Sequence, residues 1–123
     1  MKSGDTGLKR ILKAFVYSYN GFLSAFKSEA AFRQDLAVFF VFSAIAIILN
    51  ITILHKIIMI SALLLILILE LVNTAIETII DRISPDYHEL SKKAKDIGSL
   101  LVLLSFINAI LWWGGILFTD YLL

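Results

Sequence analysis

The chain has 123 residues, of which 59% are hydrophobic and 17% are charged, and its mean hydropathy is +0.89. Soluble domains are roughly 45–50% apolar and about 25% charged, and small domains bury only about two-thirds of their surface. The composition excludes an ordinary soluble domain and a disordered chain, and predicts a single-domain integral membrane protein over residues 1–123. The net charge of +1 provides no basic field for nucleic acid, and the absence of cysteine excludes disulfides and thiolate metal sites.

An amphipathic helix is predicted over residues 8–32. Its apolar residues recur at helical spacing: Leu8, Ile11, Leu12, Phe15, Tyr19, Phe22, Leu23 and Phe26. Basic side chains lie near its start, a pattern typical of a helix in the membrane interface. Gly21 is expected to bend or divide it. The pattern alone is explained equally well by a simple membrane anchor.

Three transmembrane helices are predicted, because a crossing takes about 20 apolar residues. The segments are residues 36–54, 57–80 and 97–119. Ten Lys and Arg side chains fall before the first segment or in the connection 82–96, against only Lys56 in the first connection. The positive-inside rule therefore predicts that the N-terminus and the connection 82–96 are cytoplasmic. Trp112, Trp113 and Tyr121 then fall toward the outer interface, where aromatic belts occur.

A polar stripe crosses the second apolar segment. At 100° per residue, Asn73, Glu77 and Asp81 lie within about 60° of Glu70. Ionisable groups inside a membrane are costly and indicate function; a packing network would need one polar residue and not three acids in register. Helix rise puts Glu70 roughly 9 Å inside the cytoplasmic edge of the apolar core. This depth favours chemistry at the lipid headgroup level over a carrier site near the midplane.

Further charged groups converge on the same membrane face. Glu29 and Arg33 are spaced to share one helix face, and Arg10 and Lys13 lie on the amphipathic helix. The connection adds Asp86, His88, Glu89, Lys92, Lys93, Lys95 and Asp96. Carboxylates with Lys and Arg in one plane suit Mg²⁺-bound phosphate. No GxxxxGK[ST], GxGxxG or HExxH motif occurs, which excludes the familiar soluble nucleotide sites and zinc proteases.

The stripe carries a family resemblance. Residues 70–81, ELVNTAIETIID, resemble the signature E-x-[LIVM]-N-[ST]-[SA]-[LIV]-E-x-x-V-D of the prokaryotic integral-membrane diacylglycerol kinases, departing only at Ile80. The resemblance covers essentially the whole chain. It extends through Asn20-Gly21, EAAFRQ at 29–34, YHELS at 87–91 and AKDIGS at 94–99. The family often has Glu where this chain has Asp35 and Asp86.

The resemblance implies a homotrimer of three-helix protomers in the bacterial inner membrane, with active sites shared between neighbours. It implies Mg²⁺-dependent transfer of the ATP γ-phosphate to the hydroxyl of diacylglycerol, which gives phosphatidic acid for phospholipid biosynthesis. The expected partners are ATP, diacylglycerol, membrane lipids and further copies of the chain.

The resemblance also implies roles for particular residues. Glu70 is the expected general base, and it is the only acid deep enough to reach a lipid hydroxyl; Glu29 and Glu77 are the expected metal ligands. Nucleotide contacts are implied for Arg10, Tyr17, Glu29, Glu77, Asp86, Tyr87, His88, Lys95 and Asp96. Lipid-substrate contacts are implied for Arg10, Tyr17, Ser18, Arg33, Gln34, Glu70, Asn73 and Ser99.

Three alternatives stay open. Some members of the family resemble undecaprenol kinases, but these tend to have proline after the histidine, so residues 87–91 favour the diacylglycerol branch. A small proton-coupled transporter would use Glu70 as its carrier, yet the acids cluster at one face and no inverted repeat is visible. A structural subunit without activity is the third alternative.

Overall fold

Four α-helices and a closing turn make up the protein, for which the computed structural model describes residues 6–123. The elements are α1, Gly7–Ser28; α2, Ala30–Ile48; α3, Ile53–Ile83; α4, Glu89–Leu117; and a π-helical turn, Phe118–Leu122. No strand occurs in this described part. The helices α2, α3 and α4 with its closing turn are each long and apolar enough to cross a membrane. The predicted all-α membrane fold, an N-terminal helix ahead of three spanning helices, is confirmed.

The junction between α1 and α2 is a single residue, Glu29. Its backbone is extended, with φ −116° and ψ 107°, between two helices of ordinary geometry. The predicted helix over residues 8–32 is therefore wrong at its end, because apolar spacing continues across a one-residue break. Of the bend or division expected at Gly21, the division does not occur, since α1 is continuous there; one glycine costs a helix only about 1 kcal/mol.

The apolar run of residues 36–54 does not coincide with a helix. The helix α2 begins earlier, at Ala30, and ends at Ile48, and a turn at 49–52 leads into α3. Thr52 caps α3 by accepting a hydrogen bond from the backbone N–H of His55 at 3.3 Å. Hydropathy predicts the limits of the charge-free segment, whereas the ends of the helices depend on capping contacts such as this one.

The predicted connection over residues 82–96 is mostly helical. Only residues 84–88 lie outside the helices, because α3 continues to Ile83 and α4 begins at Glu89. The 31 residues of α3 span about 47 Å at 1.5 Å per residue, against a hydrocarbon thickness of about 30 Å. Both helices therefore extend beyond the apolar layer and carry charged residues with them.

The core runs along α3, which packs against α2 on one side and α4 on the other. Small side chains line these contacts: Ala46, Ala62, Ser105 and Ala109 are all buried. Helices in membranes associate through such close packing, since lipid offers no hydrophobic driving force between them. The bundle is therefore held by backbone proximity along its central helix.

Aromatic residues close the end of the bundle where α2 ends and α3 begins. The indole N–H of Trp113 donates to the Met59 carbonyl at 3.0 Å, and the Tyr121 hydroxyl donates to the Asn50 carbonyl at 3.3 Å. Trp113 thus joins α4 to α3, and Tyr121 joins the closing turn to the turn at 49–52; the sequence predicts both as interfacial anchors. His55 Nδ1 lies 2.7 Å from Asp120 Oδ2 at the same end.

The helix α1 contacts the bundle only near its own C-terminal end. Ala25 is buried there, and the Phe22 and Phe32 rings meet edge-on at 5.8 Å. Upstream, Leu8, Ile11, Leu12 and Phe15 are each more than half exposed. An amphipathic helix with its apolar face uncovered by the described chain has the character of an interfacial helix.

Candidate active site

Two carboxyl groups from different helices meet inside the bundle. Glu70 on α3 is buried, with 8% of its surface exposed, and the Asp35 carboxyl on α2 lies beside it. Asp35 Oδ2 is buried and receives no hydrogen bond from the described residues. The pair is thus a built acidic centre within an apolar helix pair.

Two further acids lie around this centre. Glu77, almost two turns along α3, is half-buried, and its Oε1 accepts a hydrogen bond from Asn73 Nδ2 at 3.2 Å. Glu29, at the α1–α2 junction, is also half-buried, and both glutamates lie within electrostatic range of Glu70. The two glutamates expected to bind metal, Glu29 and Glu77, therefore lie around Glu70, and Asp35 lies there as well.

Glu29 and Arg33 do not form the helix-face pair expected from their spacing. Arg33 Nη1 donates to the carbonyl oxygens of Phe26 at 2.6 Å and Lys27 at 3.3 Å, at the C-terminal end of α1. The expectation is wrong because Glu29 lies between two helices and not inside one. The arginine holds α1 to α2, and no ion pair joins it to Glu29 in the described chain.

A second polar region lies where α3 ends and α4 begins. A cavity of about 480 Å³ there is lined by Asp81, Ser84, Asp86, Tyr87, His88, Ser91, Lys92, Lys95 and Asp96, with Ile80 and Pro85. All five nucleotide contacts expected from this part of the chain line the cavity: Asp86, Tyr87, His88, Lys95 and Asp96. All of them except Tyr87 carry a charged group or an imidazole ring. The backbone N–H groups at the start of α4 add a partial positive charge, which favours phosphate.

His88 and Asp86 shape the rim of this cavity. His88 caps α4 by accepting a hydrogen bond at Nδ1 from the Leu90 N–H at 3.1 Å. Since Nδ1 is the acceptor, the ring proton of neutral His88 lies on Nε2, which is thereby a donor. The Asp86 N–H donates to Ser84 Oγ at 3.1 Å and fixes the turn.

Two lysines of α4 form ion pairs, one with an aspartate of α3 and one with an aspartate of α4 itself. Lys95 Nζ lies 3.1 Å from Asp81 Oδ1 on α3, and Lys92 Nζ lies 2.6 Å from Asp96 Oδ2. Both pairs are largely exposed, so their contribution to stability is small. Because these ion pairs are weak, a phosphate group can replace the aspartates as the partner of Lys92 and Lys95.

The three α1 residues expected to bind substrates lie upstream of the point where α1 contacts the bundle: Arg10, Tyr17 and Ser18. Helix rise puts Arg10 about 22 Å, and Tyr17 about 12 Å, from Ala25, where α1 touches the bundle. The Tyr17 side chain is exposed, and Ser18 Oγ donates back to the Ala14 carbonyl at 2.8 Å. Two other predicted residues, Gln34 on α2 and Ser99 on α4, are also exposed.

Asp35 and Gly98 lie at this candidate site, although the sequence analysis singles out neither of them as a functional residue. Asp35 was noted only as a departure from the family pattern, although it is the one acid inside α2. Gly98 is buried on α4 against Asn73. The isolated acid in an apolar helix was a readable signal for the first residue. Nothing in the sequence shows which helix Gly98 faces.

The comparison with protein families decides the assignment. The model of the family "Prokaryotic diacylglycerol kinase" matches residues 16–117, a range that contains the acidic centre and the cavity between α3 and α4. The chain belongs to the prokaryotic diacylglycerol kinase family. It is a membrane-embedded kinase of that family, and the recognition made from residues 70–81 is confirmed.

Curated relatives agree with this membership over nearly their full lengths. The chain is 40% identical over 121 residues to the diacylglycerol kinase of Escherichia coli (strain K12), covering 98% of this chain and 99% of the relative. It is 46% identical over 114 residues to that of Pseudomonas aeruginosa, covering 93% of each. The diacylglycerol kinase of Haemophilus influenzae is 42% identical over 113 residues, covering 92% of this chain and 96% of the relative.

Proposed function

We propose that this kinase transfers the γ-phosphate of ATP to the hydroxyl of diacylglycerol, with Glu70 as general base. The observation that carries the proposal is a buried carboxyl, Glu70, in contact with Asp35 inside an otherwise apolar helix pair. Phosphoryl transfer asks a protein chiefly for positioning and charge neutralisation, with one residue to accept the hydroxyl proton. A carboxylate at headgroup depth meets that requirement for a lipid alcohol.

The transfer step balances with these groups. The hydroxyl oxygen of diacylglycerol forms a bond to the γ-phosphorus while the bond from that phosphorus to the β–γ bridging oxygen breaks. The hydroxyl proton goes to a carboxylate oxygen of Glu70, and ADP leaves with the bond's electron pair. The neighbouring Asp35 carboxyl lies against the Glu70 side chain.

The donor set of this chain fits a magnesium ion bound with phosphate. Glu29 and Glu77 both lie near Glu70, while no group of three or more metal-ligating side chains occurs among the described residues. Mg²⁺ is bound in kinases through one or two carboxylates plus substrate phosphates, so two glutamates suffice. When bound, the ion neutralises charge on the transferring phosphate. Asn73 orients Glu77 for this role through its hydrogen bond.

The cavity between α3 and α4 is the proposed nucleotide site. Lys95 and the donor Nε2 of His88 are positioned for phosphate oxygens, and Tyr87 and Asp96 line the same cavity. The proposal keeps the cytoplasmic placement of this end, from the asymmetry of Lys and Arg. The proposal also includes the homotrimer that the resemblance implies. Arg10 and Tyr17 are exposed on α1, and in an oligomer they can contribute to an active site that is shared with a neighbouring copy.

The experiment that tests the activity is labelled-phosphate transfer to a panel of lipids. The full chain is reconstituted into phosphatidylcholine vesicles containing diacylglycerol, undecaprenol or neither, with [γ-³²P]ATP and Mg²⁺. Label in phosphatidic acid supports the proposal. Label in undecaprenyl phosphate alone identifies the alternative acceptor, and no lipid label at all overturns the kinase assignment. Glu89→Gln, an exposed glutamate on α4, is the matched control for Glu70→Gln.

A further inference from the structure

Gly98 faces a polar side chain at the contact between α3 and α4. It is buried, and a Cβ atom built there would overlap the side-chain oxygen Oδ1 of Asn73 on α3. The other described glycines, including Gly114 and Gly115 on the same helix, have open space at that position. No described glycine has a positive φ. Gly98 is therefore distinguished by the space it leaves and not by its backbone conformation.

The amide of Asn73 has one orientation that suits both of its neighbours. Nδ2 donates to Glu77 Oε1 at 3.2 Å, while Oδ1 is buried against Gly98 and has no hydrogen-bond donor among the described residues. Exchanging the two atoms would direct the oxygen at a carboxylate, which repels it. The hydrogen bond to Glu77 thus requires that Oδ1 occupy the space above Gly98.

We propose that Gly98 is a positioning residue for the acidic site: its missing side chain admits Asn73 between α3 and α4, and Asn73 in turn fixes the carboxylate of Glu77. A methyl group at residue 98 displaces Asn73 Oδ1, since the helix backbone cannot yield as a flexible side chain would. The Nδ2–Glu77 bond is then lost, and the Glu77 carboxylate is no longer held in its present orientation. This inference rests on the proposed role of Glu77 in holding Mg²⁺.

The test is a double-mutant cycle on the reconstituted full chain, with the Mg²⁺ concentration for half-maximal activity as readout. Gly98→Ala and Asn73→Ala should each raise this concentration by about tenfold, the usual cost of losing a group that orients a metal ligand. The double variant should be no worse than Asn73→Ala alone, because the overlap disappears with the asparagine side chain.

The control is Gly114→Ala on the same helix, where a methyl group meets open space; its Mg²⁺ requirement should equal that of the unmodified chain. Alanine is the better helix former, so a defect in Gly98→Ala arises from the contact. If Gly98→Ala alone fails to fold while the double variant folds, the steric conflict between residue 98 and Asn73 is confirmed. The Mg²⁺ requirement of Asn73→Ala then tests whether Asn73 positions Glu77.

Two results would overturn the inference. One is an unchanged Mg²⁺ requirement in Asn73→Ala or in a folded Gly98→Ala, and the other is full additivity of the two substitutions. A failure of the metal assignment itself gives a different result: Glu77→Gln then leaves the Mg²⁺ requirement unchanged. In that case non-additive effects of Gly98→Ala and Asn73→Ala on turnover still identify the contact, while the metal-positioning role falls with the proposed function.

Discussion

Arg33 Nη1 donates a 2.6 Å hydrogen bond to the carbonyl oxygen of Phe26, joining α2 to the last turn of α1. The last four carbonyls of a helix have no partners within it, and a cation is favourable at that end. The resemblance assigned Arg33 to the lipid substrate, whereas its contacts here are with the backbone of the preceding helix. Arg33 thereby maintains the one-residue junction that carries Glu29.

Replacement of Arg33 should loosen the end of α1. In Arg33→Gln, amide hydrogen exchange in the last turn of α1 should rise about fivefold, the effect of losing roughly 1 kcal/mol from an exposed charged hydrogen bond. Exchange is measured by mass spectrometry on the protein in vesicles. Arg82→Gln, at the exposed end of α3, should leave α1 unchanged. Equal acceleration in both variants would remove the specific role of Arg33.

The fold was largely predictable because its main signals are compositional. Charge-free runs and the asymmetry of Lys and Arg predict three spanning helices and an interfacial one, and three such spans are present. Helix ends were predicted poorly, since they depend on single contacts: the cap of His88 on α4 and the bond of Arg33 to Phe26. Neither contact leaves a periodic trace in the sequence.

The candidate site divides in the same way. The stripe Glu70, Asn73 and Glu77 follows from helical spacing, so the sequence predicts it without knowledge of neighbouring helices. Asp35 and Gly98 enter only through the packing of α2 and α4 on α3, which spacing along one helix does not contain. When a site is assembled between helices, the pattern along one helix therefore predicts only the residues that this helix contributes.

Loss of the proposed base should abolish most turnover. Glu70→Gln keeps the size and the hydrogen-bonding capacity of the side chain but cannot accept the hydroxyl proton, so lipid phosphorylation should fall by at least ~100-fold. Initial rates are compared at saturating ATP and diacylglycerol, with Glu89→Gln as control. Near-normal turnover in a folded Glu70→Gln protein would contradict the assignment.

The metal assignment predicts a shared phenotype for two glutamates on different helices. Glu29→Gln and Glu77→Gln should each raise the Mg²⁺ concentration for half-maximal activity by about tenfold or more, while the KM for diacylglycerol stays the same. Activity is titrated with Mg²⁺ at fixed ATP. If neither variant changes its metal requirement, both carboxylates have a structural role.

The nucleotide site predicts a difference between neighbouring lysines of α4. Lys95 lines the cavity and pairs with Asp81 at 3.1 Å, whereas Lys93 lies outside the cavity lining. Lys95→Met should raise the KM for ATP about tenfold, or 1.4 kcal/mol, near the lower end of the range for a hydrogen bond to a charged group. Lys93→Met is the matched control. Equal KM values for both variants would argue against this cavity as the nucleotide site.

The uncovered part of α1 should act in catalysis and not only as an anchor. Its packed end, Phe22 and Ala25, lies within α1 beyond residue 20, so deletion of residues 1–20 leaves the contact with the bundle intact. The deleted part carries Arg10, Tyr17 and Ser18, which we expect to cover the lipid hydroxyl and exclude water from the transferring phosphate. Lipid phosphorylation should therefore fall far more than oligomer assembly, and ATP hydrolysis should rise relative to lipid product.

Both products and the oligomeric state are measured on the truncated protein, beside a deletion of residues 1–6, which precedes α1. Full lipid kinase activity after removal of residues 1–20 would reduce α1 to an anchor, because water and lipid would then reach the phosphate equally well with or without it.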